Sequence, residues 1–367
     1  MEERTKAILV NVSDDKDGEK ILEELELLAS TAGYETVGTM LQRKERPDKA
    51  YYIGTGKLKE LKEAVDALAA EAVIFDNDIS GSQFNNLENF LGVEVLDRAT
   101  VILEIFARHA TSAEGKLQVE LARKKHSLPR VLGQNAGMSR QGGGGGGGGA
   151  GARRGAGEQK LELDKRTIRR EIRDLEEKID KLTEERRLRR KKRQNGKIKA
   201  VSIVGYTNAG KSTLMNYLTK AGVPEENKLF ATLDTTGRKM WLAPNKEFVI
   251  TDTVGFISRL PHEFIEAFKS TLEETQFSDL ILHVVNMESE DAEKEYNVVN
   301  EVLSSIGAGK VRTIVVLNKT DSENISSFRP DCGYIEISAR TGKGIEDLKK
   351  KIAETLFGEE KNDNYDF

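Results

Sequence analysis

The sequence predicts an α/β protein in which a long helical hairpin separates two domains that each contain a parallel sheet. Short β-branched runs alternate with amphipathic segments at the start of the chain, two helical patterns flank a run of glycines, and an apolar strand later enters a glycine-rich turn. We therefore expect an N-terminal α/β domain at 1–98 and a helical hairpin at 99–197. A second α/β domain at 198–358 and a polar tail at 359–367 would follow.

Length and composition favour a folded chain of several domains. The 367 residues are 32% charged and 38% apolar, with a net charge of -4, which excludes an acidic disordered protein and a uniformly basic nucleic-acid binder. Cys332 is the single cysteine, so we expect a reducing compartment. The four histidines have no zinc-like spacing, and no apolar run approaches 18 residues. We therefore expect no structural metal and a cytoplasmic, monomeric protein without a membrane span.

The first 98 residues repeat a strand–helix pattern. Ser80 has the side chain of a helix N-cap, and it precedes an apolar face formed by Phe84, Leu87 and Leu91. Strands that alternate with helices indicate a parallel sheet. The predicted strands are 7–12, 34–41, 72–75 and 94–96, and the helical faces between them contain Ile21, Leu22, Leu25, Leu28, Leu58, Leu61, Val65 and Leu68.

Helical patterns at about 99–128 and 159–194 flank a segment, 134–157, that is rich in glycine. Because glycine loses the most backbone freedom on ordering, we expect no regular element in that segment, which contains eight consecutive glycines. The apolar residues of the second pattern recur at spacings of four and three, which predicts a seam packed against the first helix. Two unrelated surface helices joined by a disordered linker are the alternative. The seam residues are Ile168, Ile172, Leu175, Ile179 and Leu182.

Positive charge is concentrated on the second helical pattern. Between 165 and 199 there are 16 Lys/Arg against 7 Asp/Glu, and the octet 186–193 is basic except at Leu188. Such a cluster in a net acidic chain predicts a polyanionic partner such as RNA, whereas a merely solvated helical face is the alternative. The candidate RNA contacts are Arg153, Arg154, Arg186, Arg187, Arg189, Arg190, Lys191, Lys192 and Arg193.

An apolar strand at 200–204 leads into the pattern G-x-x-x-x-G-K-S, which a helical pattern follows. In this context backbone N–H groups surround phosphate oxygens at a helix N-terminus. Lys211 would contact the β- and γ-phosphates of a nucleotide, and the Ser212 hydroxyl would bind Mg²⁺. The predicted phosphate-binding loop consists of Gly205, Tyr206, Thr207, Asn208, Ala209, Gly210, Lys211 and Ser212.

A second polar tetrad, Asp252, Thr253, Val254 and Gly255, follows the apolar strand 248–251. Asp252 would hold Mg²⁺ through a water, and the Gly255 N–H would contact the γ-phosphate. The intervening segment 229–236 offers a threonine for the metal, but the residues alone do not say which one.

Two further motifs follow strands and predict the base. A carboxylate such as Asp321 accepts two hydrogen bonds from the ring N–H and amine of guanine, where adenine presents the opposite pattern. Together with the phosphate loop and the tetrad, these motifs predict a Ras-like P-loop GTPase domain that binds GTP and GDP. The two motifs are Asn318, Lys319, Thr320 and Asp321 after strand 313–317, and Ser338, Ala339 and Arg340 after strand 334–337.

The sequence resembles the HflX family of ribosome-binding GTPases across nearly its whole length. The resemblance implies a nucleotide-binding-like N-terminal domain, a helical linker and a GTPase domain. It also implies docking on the large ribosomal subunit and splitting of stalled ribosomes. The motifs that support it are Tyr52–Lys57, Asp97-Arg98 with Ile105–Ala107, Glu114–Ala122, Leu128–Arg130, Ser139–Gly143, Gly157–Asp164 and Phe230–Asp234.

The resemblance also implies roles for single residues. The segment Phe230, Ala231, Thr232, Leu233 and Asp234 is similar to the family's first switch, which makes Thr232 the expected Mg²⁺ ligand. Lys211, Thr232 and Gly255 are then the expected catalytic set. The family's additional C-terminal domain is not evident after the helical pattern 345–356.

Phe256 stands directly after the tetrad, where Ras-like enzymes carry a glutamine. Because phenylalanine cannot orient a water, we expect slow intrinsic hydrolysis, with the catalytic arrangement completed by switch ordering on the ribosome. Asn208 either holds K⁺ near the phosphates, as in some related GTPases, or only stabilises its loop. A GTP-dependent RNA-binding or subunit-assembly factor and a signalling GTPase with a protein partner are the alternative functions. Whether the N-terminal domain binds a second nucleotide stays open.

Overall fold

The computed structural model describes residues 4–14, 17–141, 150–195, 198–219, 237–243, 246–252, 255–256 and 275–358. The chain forms two compact units. One comprises Met1–Arg108 with Lys116–Asp180, and the other comprises His109–Gly115 with Lys181–Phe367. The hairpin helices thus contribute mainly to the first unit, and the division of the chain at 98, 197 and 358 stays a prediction.

The first unit begins with the predicted parallel sheet. Its four strands are arranged in the order β2-β1-β3-β4, and every neighbouring pair is parallel. Helices connect the strands, as parallel pairing requires. The elements are β1 (Thr5–Val12), α1 (Gly18–Ala32), β2 (Tyr34–Gln42), α2 (Thr55–Leu68), β3 (Ala72–Phe75), α3 (Gly81–Leu91) and β4 (Glu94–Asp97).

The core of this sheet consists largely of the predicted apolar positions. Leu22, Leu25 and Leu28 of α1 are buried, and α3 begins with a capping box between Ser80 and Gln83. Leu68 was predicted on the buried face of α2 but is 42% exposed. It is the last residue of that helix, so neighbouring elements cover it only partly.

Three helices follow, α4 (Arg98–His109), α5 (Ala113–Gln141) and α6 (Ala150–Asn195). The predicted single stretch 99–128 is therefore wrong, because the chain leaves the helix between α4 and α5. Ser112 caps the N-terminus of α5, because its Oγ accepts a hydrogen bond of 2.9 Å from the Gly115 N–H.

The expectation that 134–157 contains no regular element is also wrong at both of its ends. Helix α5 continues to Gln141 and α6 begins at Ala150, so only 142–149 lie outside the described residues. An isolated glycine costs a helix about 1 kcal/mol, which an established helix tolerates because each added residue gains a hydrogen bond.

Helices α5 and α6 pack against each other as the seam predicts. Leu121 of α5 is buried in a cluster with Leu175 and Ile179 of α6. Two ion pairs connect the helices beside this cluster, Lys124–Glu171 at 2.7 Å and Lys125–Glu176 at 2.9 Å.

The second unit is built around a six-stranded sheet of order β10-β9-β8-β5-β7-β6. Only β6 is antiparallel to its neighbour among these strands. The elements are β5 (Lys199–Gly205), α7 (Lys211–Thr219), β6 (Gly237–Ala243), β7 (Lys246–Asp252), β8 (Leu280–Asn286), α8 (Ala292–Ser305), β9 (Thr313–Asn318), β10 (Tyr334–Glu336) and α9 (Ile345–Phe357).

Helices cover both faces of this sheet and leave the ends of its strands free to carry polar loops. Helices α7 and α9 bury one apolar cluster and α8 buries another, so the central strands are mostly apolar, with Ser202, Thr251 and His283 as buried polar exceptions. In such sheets ligands bind at the carboxyl ends of the strands. Within the part of the chain that the structure describes, no helix is long and apolar enough to cross a membrane.

Candidate nucleotide-binding site

The loop between β5 and α7 follows a path that its glycines make possible. A Cβ at Gly205 would collide with the carbonyl oxygen of Val284, and one at Gly210 would collide with the side chain of Asn318. Gly210 has a φ of +88° and Asn208 a φ of +60°, so two residues of the loop are left-handed. This close, tightly turned backbone is what a phosphate-binding loop requires.

Lys211 is the first residue of α7 and is buried beneath the loop. Its Nζ donates a hydrogen bond of 2.7 Å to the carbonyl oxygen of Tyr206. Burial lowers the pKa of Lys211 to about 8, although the negative charges of Asp252 and Glu295 act in the opposite direction. A phosphate at this place would favour the charged form, because it offers the ammonium group a close anion.

The side chains of Ser212 and Asp252 meet next to Lys211. The Ser212 Oγ donates a hydrogen bond of 3.2 Å to Asp252 Oδ2, and Asp252 ends the buried strand β7. A hydroxyl and a carboxylate are the hard oxygen donors that Mg²⁺ prefers, so these two residues fit the predicted metal.

Gly255 lies against the same lysine. A Cβ at Gly255 would be 3.1 Å from Lys211 Nζ and 3.0 Å from Thr207 Cγ2, so no larger residue fits without displacing them. The next residue fixes this arrangement, because the Phe256 N–H donates to Gly205 O at 3.1 Å and Phe256 O accepts from the Thr207 N–H at 2.7 Å.

The ring of Phe256 is buried in an apolar cluster with Val204, Ile281 and Val299. It therefore packs in the core of the sheet and has no polar atom with which to orient a water. The structure agrees here with the expectation that the residue after the tetrad does not take the part of a glutamine.

Asn318 connects the base-binding motifs to the phosphate loop. Its Nδ2 donates to Ala209 O at 2.9 Å, and its Oδ1 accepts from the Ala339 N–H at 2.9 Å. A cavity of about 350 Å³ opens beside it. The residues lining this cavity are Asn208, Gly210, Thr213, Glu288, Asn318, Lys319, Asp321, Ser338, Ala339 and Arg340.

Asp321 presents its carboxylate to this cavity. The hydrogen bond from the Ser338 hydroxyl and the charge of Arg340, whose Nη2 is 2.8 Å from Asp321 Oδ2, lower the pKa of Asp321. The carboxylate therefore stays ionised and able to accept hydrogen bonds. Thr320 does not face the cavity, since its hydroxyl donates to Ile337 O at 3.0 Å.

Other predicted residues cannot be placed. Phe230, Ala231, Thr232, Leu233, Asp234, Thr253 and Val254 lie outside the described residues, so their roles stay predictions. Among the candidate RNA contacts only the side chain of Arg187 is described. It is exposed and pairs with Glu184 at 3.0 Å. The side chains of Arg153, Arg154, Arg186, Arg189, Arg190, Lys191, Lys192 and Arg193 are outside the description.

Two sets of residues escaped sequence reasoning. Glu288 lines the base cavity and pairs with Lys319 at 2.9 Å. In the first unit, His126 Nε2 and Arg130 Nη2 of α5 lie 3.1 and 2.8 Å from the carboxylate of Asp97, at the end of β4. Burial acts to raise the pKa of Asp97, but the hydrogen bond from His126 and the charges of His126 and Arg130 lower it overall.

The motifs containing Asp97 and Arg130 could be matched to a family in the sequence, but nothing in the sequence showed that they touch. Arg98 adds ion pairs with Asp76 at 3.0 Å and with Glu24 at 3.1 Å. Within the described residues no three His, Cys, Asp or Glu side chains are grouped as a metal would need.

The sheet order and the tightly turned loop between β5 and α7 together define a P-loop protein that binds and hydrolyses GTP. Comparison with known families agrees. Residues 19–107 match the family described as GTP-binding GTPase N-terminal, and residues 109–193 match the GTP-binding GTPase Middle Region. Residues 200–319 match the 50S ribosome-binding GTPase family.

The chain belongs to the HflX family of GTPases. It is 47% identical over 359 residues to GTPase HflX of Caldanaerobacter subterraneus subsp. tengcongensis, covering 97% of this chain and 82% of that protein. It is 40% identical over 363 residues to GTPase HflX of Escherichia coli K12, covering 96% and 84%. A crystal structure of a GTP-binding protein from Sulfolobus solfataricus in complex with GDP is 25% identical, with a TM-score of 0.50 and coverage of 96% and 99%.

Proposed function

We propose that this GTPase binds the large ribosomal subunit and couples GTP binding and hydrolysis to the dissociation of stalled or idle ribosomes. The observation that supports this most is that one chain joins a GTP site to a helix with a strong local excess of positive charge. Family membership adds support, because the family matched at 200–319 is described as ribosome-binding. We propose that the protein acts as a monomer in the cytoplasm.

The hairpin would supply the contact with ribosomal RNA. Helix α6 is 46 residues long, which corresponds to about 70 Å at 1.5 Å per residue, and its basic octet lies in its last third. Lysine and arginine on such a rod neutralise phosphates and release counterions, so binding should weaken steeply with salt. We assign Arg153, Arg154 and the octet 186–193 to this contact.

In the GTP site, Lys211 would neutralise the β- and γ-phosphates, and the Gly255 N–H would contact the γ-phosphate. Ser212 and Asp252 would hold Mg²⁺, which P-loop GTPases generally use, with Thr232 as the third protein group near it. When bound, Mg²⁺ supplies charge that the transferring phosphoryl group needs. The chain's own residues bind and orient the nucleotide.

Phe256 leaves the attacking water without a side chain to position it. We therefore propose that intrinsic hydrolysis is slow and that the catalytic arrangement is completed on the ribosome. GTP would order 223–236 and 252–262 through γ-phosphate and Mg²⁺ contacts, and GDP would release them. K⁺ held by Asn208 would add positive charge near the phosphates. If exchanging K⁺ for Na⁺ leaves the rate unchanged, the K⁺ proposal is wrong and Asn208 only shapes its loop.

The first experiment is GTP hydrolysis with and without purified large subunits, at fixed K⁺ and Mg²⁺. Strong stimulation supports the proposal, and light scattering of intact ribosomes then measures splitting. Stimulation without splitting would favour an RNA-binding or assembly factor. No stimulation, with no salt-sensitive binding to ribosomal RNA, would favour a signalling GTPase with a protein partner.

A further inference from the structure

Lys319 has an unusual backbone in the base-binding motif. Its φ is +65°, a left-handed conformation that a residue with a side chain rarely adopts. Such a conformation persists only where its surroundings enforce it. The two hydrogen bonds of the neighbouring Asn318 side chain hold the backbone on one side, and Lys319 Nζ is held by Glu288 Oε2 at 2.9 Å.

Glu288 reaches Lys319 because the sheet brings their loops together. Strands β8 and β9 pair up to Asn286 and Asn318, and the Met287 N–H donates to Asn318 O at 3.0 Å. The Glu288 N–H donates to Asn286 Oδ1 at 3.1 Å, and Met287 O accepts from the Ser326 N–H at 2.7 Å. The backbone around Glu288 is therefore fixed on both sides.

The pair is part of the wall of the base cavity. Glu288 and Lys319 both line it, as do Asp321 and Arg340. The Lys319 side chain is 23% exposed, so most of its stem packs against protein, whereas Glu288 is 46% exposed. A lysine side chain has large rotamer freedom, and ordering it costs conformational entropy. If its end is already fixed before a ligand arrives, binding does not have to supply this cost.

We propose that Glu288 is a positioning residue of the guanine site, which holds Lys319 in place and thereby slows the release of guanine nucleotides. It would not touch the nucleotide's reacting atoms. Its effect on nucleotide binding would depend entirely on the presence of Lys319. A glutamate that only adds negative charge near the phosphates would act whether or not Lys319 is present.

The size of the effect follows from the exposure of the pair. Ion pairs that are partly open to solvent change equilibria by about two- to five-fold, and salt weakens them. Replacing Glu288 by alanine should therefore raise the Kd for GDP by about two- to five-fold at low salt. The change should appear mainly as faster dissociation, and it should shrink at high salt.

The test measures release of a fluorescent GDP analogue and its equilibrium binding for E288A, E288Q, K319A and E288A/K319A. E293Q is the matched control, because Glu293 is an exposed glutamate of α8 without an ion pair among the described residues. We expect faster release in E288A and E288Q, no change in E293Q, and no further effect of E288A in the K319A background. KM for GTP should change more than kcat.

Two results would overturn the proposal. One is that release from E288A and E288Q matches wild type and E293Q. The other is that E288A weakens binding equally with and without Lys319, since the glutamate would then act independently of the lysine. Thermal melting of each variant identifies misfolding, and E288Q, which keeps the shape of the side chain, decides the question if E288A is misfolded.

Discussion

The depressed pKa of Lys211 predicts how nucleotide affinity depends on pH. Burial lowers this pKa to about 8 in the nucleotide-free protein, so the ammonium form predominates at pH 7 and is a minority at pH 9. A bound phosphate stabilises the ammonium form. Binding above pH 8 therefore requires the uptake of a proton, and affinity must fall as pH rises.

The expected size follows from that pKa. Near pH 7 the Kd should change little through Lys211, because this lysine is already mostly charged. The Kd should double by pH 8 and rise about ten-fold by pH 9, as one proton is linked to binding. Titrations with a fluorescent GDP analogue between pH 6.5 and 9.5 measure this curve. Calorimetry in two buffers of different ionisation enthalpy counts the protons taken up.

One other group titrates in the same range and needs a control, because the guanine ring itself loses a proton in alkaline solution. The variant K211M should keep the part of the curve that comes from the guanine ring and lose the part that depends on the lysine. A Kd that stays constant to pH 9 in the wild-type protein would refute the assignment of a lowered pKa to Lys211.

Three other substitutions or deletions test the site and the hairpin. Gly255→Ala places a Cβ 3.1 Å from Lys211 Nζ, so it should weaken GTP more than GDP; an unchanged ratio of the two Kd values would contradict a γ-phosphate contact at Gly255. Leu175→Ala should lower the free energy of unfolding by about 2–4 kcal/mol in urea, because Leu175 is buried between α5 and α6. The exposed Leu163→Ala is its control and should change it by less than about 0.5 kcal/mol. Deleting 142–154 should reduce ribosome splitting more than nucleotide binding, and full splitting activity would show that these residues are dispensable.

The sequence could place site residues at the ends of strands and helices because the patterns that mark these ends are local. The phosphate loop and the strand that precedes it form one segment, so spacing alone places Lys211 and Ser212 at a helix N-terminus. Asp252 and Asn318 could be placed because each ends a buried strand, and parallel strands bring their carboxyl ends to one edge of the sheet.

The features that sequence could not show depend on contacts between distant segments. The pairing of Glu288 with Lys319 depends on the register of β8 and β9. The helix break between α4 and α5 depends on a single cap at Ser112, which an otherwise continuous helical pattern concealed. The glycine-rich composition led to a wrong prediction at 134–141 and 150–157, because α5 and α6 accommodate the single glycines of these segments.

The cluster at Asp97 has a mechanical consequence for α5. His126 and Arg130 attach this helix to the end of β4, and the helix then continues to Gln141, about 16 Å beyond Arg130. These contacts therefore hold α5 at Arg130, and about three turns of the helix extend beyond this point. A tilt of about 10° there would move the far end of α5 by about 3 Å, given that rise per residue.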